Sequence, residues 1–399
     1  MDRFRATDQT VCGRRRCHVR CRTGRPRQHH RSAGQRDRTL WQRTQSRSRQ
    51  VLGPAWHLDR LRRRPVRRRS ARRRSTSEVR AHQVRPFRFG LQAARVNDPN
   101  QWLALARCAE DTGYSCFMVP DHLGRLSTFP ALMAAAAATR EVRLATYVLN
   151  QDFRPPAILA QEAATVQSLT GGRLELGIGA GWARHEYTQS GLTYDSAAVR
   201  VARFEEYLQV VKGLLNASAP FSYAGKFFTL DSYAPLPVHF TPPPILVGGG
   251  SPRILAIAGR LADIISVSTR ASADGRVDMP NISLAAVENK VHRIQEAAGD
   301  RLEQIELNMT VRDVRLTHDR RAAARQLLNE WASVPERLAD VDQLSEDDIL
   351  DSPHMAIGSV EQIVEQLEIA RERWGFSYLE VSSTDAEAVA PIMERLNGR

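Results

Sequence analysis

From Phe87 onward, apolar and polar positions follow two alternating periods. Short apolar runs fall at "FRFGLQ" (87–92), "SCFMVP" (115–120), "VRLATYVLN" (142–150), "RLELGIGAG" (173–181), "PILVGG" (244–249), "DIISVS" (263–268), "IELNMTVRDVRL" (305–316) and "FSYLEVSS" (376–383). Each reads as a strand, and each is followed by a stretch with helical spacing. The first helix opens near Asp98-Pro99, with Trp102, Leu103, Ala106 and Ala109 on one face. "RPPAILAQEAATVQSLTGG" has Pro in its first turn and Gly just past its end, the asymmetry expected of a helix. Eight strands alternating with helices predict a parallel sheet, and eight is the number that closes a (β/α)8 TIM-like barrel. An open doubly wound sheet wants a glycine fingerprint after its first strand, and "GLQAARVND" has none. The rhythm breaks at residues 185–243, an expected insertion after strand four, which contains the Pro- and aromatic-rich "FSYAGKFFTLDSYAPLPVHFTPPP". Part of that stretch, Phe221–Phe240, is expected to help cover a pocket.

Charge divides the chain at about residue 84. Residues 1–84 hold 26 Arg, no Lys and five acidic residues, a net of +21, whereas residues 85–399 carry 31 basic and 39 acidic residues, a net of −8. The overall +13 therefore belongs to the first segment. "RLRRRPVRRRSARRRS" (60–75) has too little apolar surface to offset its conformational entropy, so a disordered segment over 1–84 is expected. A nucleic-acid arm or a transit peptide competes with a plainer reading, in which the segment is translated GC-rich DNA upstream of a true start at Val84. Three Lys against 54 Arg in the whole chain favour that plainer reading, and nucleic acid is not an expected partner. Cys12, Cys17, Cys21, His18, His29 and His30 have no recognised zinc spacing.

Residues 85–399 are long enough for a full core. No apolar run approaches the 18 residues of a membrane span. Cys108 and Cys116 are the two thiols of this part, which fits a reducing compartment and a cytoplasmic location.

In a barrel of this kind, chemistry lies at the C-terminal ends of the strands. Asp121 and His122 follow strand two, and Asn150 ends strand three. Gly179, Gly181 and Trp182 end strand four, with His185 and Glu186 just beyond, and Gly248, Gly249, Gly250 and Ser251 end strand five. The "GGGSPR" turn opens a helix, so its backbone N–H groups and the helix dipole suit a phosphate. "GIGAGW" either avoids a clash between neighbouring strands or clears floor for a flat ring, with Trp182 as a wall. His122 is the candidate proton-transfer group, and Asp121 is expected to orient it or to touch the ligand. Asp121, His122, His185 and Glu186 offer metal-binding atoms, but no metal-ligand spacing is present, and no metal is expected.

"FMVPDHLG", "LATYVLNQDFRPPAILAQEAATVQSLTGGRLELGIGAGW", "YAGKFFTL" and "PPILVGGGSPRILAIAGRLAD" together resemble the luciferase-like superfamily of flavin and deazaflavin oxidoreductases. The Asp-His after strand two resembles its coenzyme F420 branch. The resemblance covers nearly all of residues 86–383. It implies a barrel with an insertion, a homodimer, and a cofactor lying across the strand ends. Asp121 and His122 would line the deazaflavin ring, and Tyr147-Val148 would form a non-proline cis peptide behind it. Asn150 would sit at the ring edge, and Gly248–Gly250 would approach the phosphate. The sugar-phosphate dehydrogenases of this branch carry a glutamate where this chain has Trp182, which points to a more apolar, aromatic substrate. The expected activity is hydride transfer between F420 and a small organic molecule. The alternatives are an FMN-dependent monooxygenase and a flavin-binding protein without turnover.

Overall fold

The computed structural model describes residues 85–399 apart from 94, 95, 97, 237–239 and 272–274; the expectations for residues 1–84 lie outside it. The eight barrel strands are β1 (Arg88–Gln92), β2 (Cys116–Val119), β3 (Arg143–Thr146), β4 (Leu174–Gly179), β5 (Ile245–Gly249), β6 (Ile264–Val267), β7 (Glu306–Val311) and β8 (Phe376–Ser382). Every neighbouring pair is parallel, β1 also pairs with β8, and β3 pairs with β4 through Leu144↔Leu174, so the sheet closes on itself. The strands are buried on both faces, as a sheet must be when side chains fill its interior and helices cover its outside.

Local sequence explains the helix starts. Asp98 accepts a hydrogen bond from the backbone N–H of Gln101 at 2.9 Å and caps the helix Pro99–Asp111. Ser359 and Gln362 form a reciprocal capping box at the start of Val360–Trp374. The outer helices bury their apolar stripes against the strands in one continuous core.

The bottom of the barrel is closed by charge. Glu175 accepts from Arg88 at 2.8 Å, from Arg143 at 2.7 Å and from the Tyr378 hydroxyl at 3.1 Å, while Arg88 also pairs with Glu306 at 2.6 Å. Burial works to raise the affinity of Glu175 for a proton, but the two guanidinium groups overcome it and hold the carboxyl below its usual range.

Three readings of the pattern need correction. The run 142–150 is not one strand: it breaks at a cis peptide between Tyr147 and Val148, and Leu149–Asn150 resumes pairing with Ile178 and Gly179 of β4. The run 305–316 is two strands. Glu306–Val311 belongs to the barrel, whereas Asp313–Leu316 turns outward and pairs with Met355–Gly358. Between them, residues 317–354 form a second insertion, whose Leu327 and Ile349 share a small separate core with Met279, earlier in the chain, and Met355, just after the insertion. Helical spacing alone did not separate that core from the main one.

Glu175→Ala is expected to lower unfolding free energy by about 3–5 kcal/mol, because it removes the buried carboxylate shared by Arg88, Arg143 and the Tyr378 hydroxyl, leaving Arg143 without an ion pair and Arg88 with Glu306 alone. Chemical denaturation measures this, and a loss below about 1 kcal/mol would show that the barrel bottom does not depend on the pair.

Candidate active site

β2 ends at Val119, Pro120 stops it, and Asp121 is almost fully enclosed. The Asp121 carboxylate accepts from Arg154 Nη1 at 2.8 Å, from Thr128 Oγ1 at 2.9 Å and from the backbone N–H of Asn150 at 3.1 Å. It thus ties the ends of β2 and β3 to two helix starts, and its oxygens are already occupied. It is a positioning residue for its neighbour.

His122 faces the mouth. Its Nδ1 lies 2.8 Å from Glu186 Oε1, and the same oxygen accepts the backbone N–H of Leu123 at 3.2 Å. A carboxylate behind Nδ1 places that proton on Nδ1 in the neutral ring, which leaves Nε2 as a free acceptor at the barrel mouth. The Trp182 ring stands edge-on to the imidazole at 6.3 Å, and it is 43% exposed.

The floor is built around Val148. A Cβ added at Gly179 would lie 2.8 Å from Val148 Cγ2, and one at Gly248 would lie 3.1 Å from Val148 Cγ1. Gly177 has no room either: its Cβ would meet the Thr146 carbonyl at 1.9 Å. The two glycines of "GIG" are therefore required by the bulge of the third strand, and Gly248, the first of "GGG", is tightly confined by it. The cis peptide turns Tyr147 the other way, into the barrel, where its hydroxyl meets Ser266 at 2.6 Å, Asn308 at 2.8 Å and Thr310 at 3.2 Å. Tyr147 thus supports the floor from below.

Gly181 has φ +73°, and a side chain there would strike the Tyr187 hydroxyl and Asn150 Oδ1. Asn150 Oδ1 itself accepts the backbone N–H of Asp152 at 3.0 Å and the Tyr187 hydroxyl at 3.2 Å. At the end of β5, Gly250 lies so close to the Ser268–Arg270 backbone that a Cβ would meet the Ser268 carbonyl at 2.2 Å. Ser251 precedes the helix Pro252–Leu261 without a side-chain capping bond, so its hydroxyl stays available. A cradle of bare backbone at a helix start fits a phosphate, and the side-chain-poor floor beside it fits a flat ring.

Other expectations sort differently. His185 is exposed and takes no part, and among the described residues no group of three metal-ligating side chains forms. The hairpin Phe221–Ala224/Thr229–Tyr233 packs on the helix Ala197–Asn216, with Phe221 against Gly213 and Phe228 against Tyr207. The sequence pattern marks Glu186 only as a possible metal ligand and does not mark Arg154. Their roles depend on contacts across 64 and 33 residues, which no local pattern displays.

The family model for luciferase-like monooxygenases matches residues 71–378. The chain belongs to that family. It is therefore an enzyme of an oxidoreductase family, built on the same barrel. Among its relatives, the F420-dependent glucose-6-phosphate dehydrogenase of Nakamurella multipartita is 29% identical over 64% of this chain and 76% of that protein. The pyrimidine monooxygenase RutA of a Bradyrhizobium strain is 37% identical, over only 35% of this chain and 38% of its own length. Two solved structures share the fold. An F420-dependent secondary alcohol dehydrogenase with an F420-acetone adduct gives TM-score 0.60 at 22% identity, covering 78% of this chain and 98% of that one. The monooxygenase RslO1 of Streptomyces bottropensis gives 0.59 at 21%, covering 77% and 97%. No helix among the described residues is long and apolar enough to cross a membrane.

Inside the barrel, burial pushes the Glu380 carboxyl up to about 8, against the opposing pull of a Thr310 hydrogen bond and the Arg312 charge. The unfolded chain loses this proton near pH 4.5, and the folded one keeps it until about 8. Stability is therefore greatest below the lower value and falls as pH rises between them, by up to about 1.4 kcal/mol per pH unit. Glu380→Gln is expected to flatten that slope. Denaturant midpoints from pH 5 to 9 test this, and parallel profiles for the two proteins would contradict it.

Proposed function

We propose that this chain is an F420-dependent oxidoreductase that transfers a hydride between the deazaflavin and a small organic substrate. The observation that carries the reading is His122, backed by Glu186 and flanked by Trp182, at the edge of a floor emptied of side chains around Val148. The relatives and the solved fold neighbour that use F420 support the choice of cofactor.

Val148 and the glycines of β4 and β5 would support the ring, with Asn150 at its edge, and the Gly248–Ser251 turn would take the phosphate. The bound cofactor supplies the hydride chemistry. The protein's own part is to orient, to exclude water and to manage one proton. His122 Nε2 accepts the proton of a substrate hydroxyl as it is oxidised and returns it in the reverse direction, while Glu186 fixes the ring and stabilises its charged form. Asp121 holds the strand end from which His122 projects. Trp182 offers an aromatic wall where the sugar-phosphate dehydrogenases carry a glutamate, so the substrate of this reading is apolar or aromatic beside His122. A cytoplasmic homodimer belongs to the same reading. The RutA-like segment and the monooxygenase fold neighbours favour one second reading, an FMN-dependent monooxygenase.

Fluorescence titration of the full chain with F420 and, separately, FMN decides between them. F420 is expected to bind at least about 100-fold more tightly, a gap of about 2.7 kcal/mol; tighter FMN binding would overturn the assignment. In a screen of alcohols and carbonyl compounds, His122→Gln is expected to lower turnover by about 100- to 10,000-fold while changing the F420 dissociation constant only a few-fold. Equal turnover in the variant would remove His122 from the proton transfer.

A further inference from the structure

The polar half of the barrel mouth, on β6–β8, holds a charge imbalance that the proposed function does not use. Arg312 follows β7, and its one side-chain hydrogen bond goes from Nη1 to the Thr269 hydroxyl at 3.2 Å, leaving a buried Nε–H without a partner. Lys290, 4% exposed on the helix Leu284–Ala298, donates only to the carbonyls of Ser268 at 2.9 Å and Asn281 at 2.7 Å. Neither cation forms an ion pair among the described residues. Of the acids around them, Asp278 pairs with Arg270 and Asp313 with Arg315 at 2.7 Å, while Glu380, whose charge would favour Arg312, keeps its proton until about pH 8.

The cations also act on one another. Burial lowers Lys290 to about 7, with Arg312 and Arg270 adding to the effect and only Asp278 opposing it. Burial lowers His354 to about 3, again helped by Lys290 and Arg312. His354 is thus neutral; its Nδ1–H donates to the Thr310 carbonyl at 2.9 Å, and its buried Nε2 has no partner. On β8, in register with Thr310, Glu380 has one buried oxygen without a partner. The side-chain amide nitrogen of Asn308 is in the same state. Three of these four unpartnered groups are donors when Glu380 carries its proton. Buried polar groups are ordinarily satisfied, and buried like charges ordinarily have a counter-charge, so both defects point to one missing species.

We infer that the inner face of β7 and β8 is an oxyanion-binding subsite, with Arg312 and Lys290 as its cations and the Glu380 carboxyl as a further donor. Its ligand is a carboxylate or phosphate oxyanion. An arriving oxyanion accepts from the Arg312 Nε–H, the Lys290 ammonium group and the Glu380 O–H. The triple-glycine turn lies against the same Ser268–Arg270 segment, so the oxyanion has two possible sources: the substrate, or the phosphodiester tail of the cofactor. The subsite stands on these contacts whether or not the cofactor is F420.

The test uses the full chain and two probes, benzoate and inorganic phosphate, with chloride as the ionic-strength control; thermal shift and calorimetry give the dissociation constants. At least one oxyanion is expected to raise the melting temperature where chloride does not. Arg312→Met and Lys290→Met are each expected to weaken its binding at least ten-fold, and Arg312→Lys, which keeps the charge, by about three- to ten-fold. In the wild type, the dissociation constant rises as pH passes about 7, where Lys290 gives up its proton, and more steeply above about 8, where Glu380 does; Glu380→Gln removes the second rise and Lys290→Met the first. Absence of an oxyanion-specific shift, or equal shifts in wild type, Arg312→Met and Arg312→Lys, would overturn the proposal. So would an oxyanion effect that is indifferent to Glu380→Gln and to pH. Adding deazaflavin with and without its phosphate tail separates the sources: exclusion of the probe only by the tail-bearing form assigns the site to the cofactor, and simultaneous binding assigns it to the substrate. Arg312-dependent oxyanion binding in a protein that binds no F420 would refute the cofactor reading and leave the subsite in place.

Discussion

The strand ends are organised by one steric requirement: Val148 must fit between β4 and β5. Three glycines, at 177, 179 and 248, face either its side chain or the adjacent Thr146 carbonyl; a Cβ has no room at 177 or 179 and only a tight fit at 248. Because the third strand bulges here, Tyr147 turns into the barrel and bonds to β6 and β7, while Asn150 beyond the bulge rejoins β4. One local distortion thus couples four strands. It also leaves bare backbone at the centre of the mouth, and that surface is what a flat ring needs. Close packing makes this an all-or-none arrangement, since neither side has room for an added methyl group.

The opposite end of the barrel is held by other means. Glu175 gathers Arg88, Arg143 and Tyr378 beneath the apolar layers, and Arg88 lies over the Tyr378 ring at 3.4 Å. A buried ion cluster is weak evidence for extra stability, but it strongly disfavours other registers, because any slip would leave one of its charges unpaired. The rigid bottom and the crowded bulge together fix where each strand ends. Asp121 then performs the same service locally, bonding Arg154, Thr128 and the Asn150 N–H so that His122 projects from a fixed point.

Much of this was legible in the chain because it is periodic or local. Eight apolar runs separated by helical spacing gave the barrel, and "PDH", "GIGAGW" and "GGGS" fell at strand ends because glycine, proline and short polar residues mark those ends. What was hidden depends on distance along the chain. Nothing near Glu186 announces that it will meet His122, and nothing near Glu110 announces that it will accept the backbone N–H groups of residues 140–142. The second insertion escaped for a different reason. Its strand Asp313–Leu316 continues β7 in sequence with only Arg312 between them, so the apolar pattern runs on while the backbone changes direction. The packing partner of the aromatic hairpin was hidden as well, because aromatic content tells that a segment packs, not what it packs against.

The mouth that results is asymmetric, and the asymmetry is chemical. The side built from β3–β5 presents glycine, Val148 and the edge of Trp182, surfaces that suit flat, apolar groups. The side built from β6–β8 carries Arg312 and Glu380 above the Ser266, Asn308 and Thr310 cluster that holds the Tyr147 hydroxyl, with Lys290 and His354 behind them. Such a polar wall is unfavourable for folding: it places cations together out of water and leaves donors unmatched. A chain that needed only a barrel would fill those positions with the aliphatic residues found one layer deeper, such as Leu246 and Ile264. Departures of this kind from good core packing are expected where a site must grip something the protein does not itself contain. His122 stands on the rim between β2 and the Trp182 loop, at the border of the apolar side. A molecule spanning the mouth would therefore meet an aromatic wall, the His122 imidazole and a cationic wall in turn, an arrangement that fixes its orientation as well as its position.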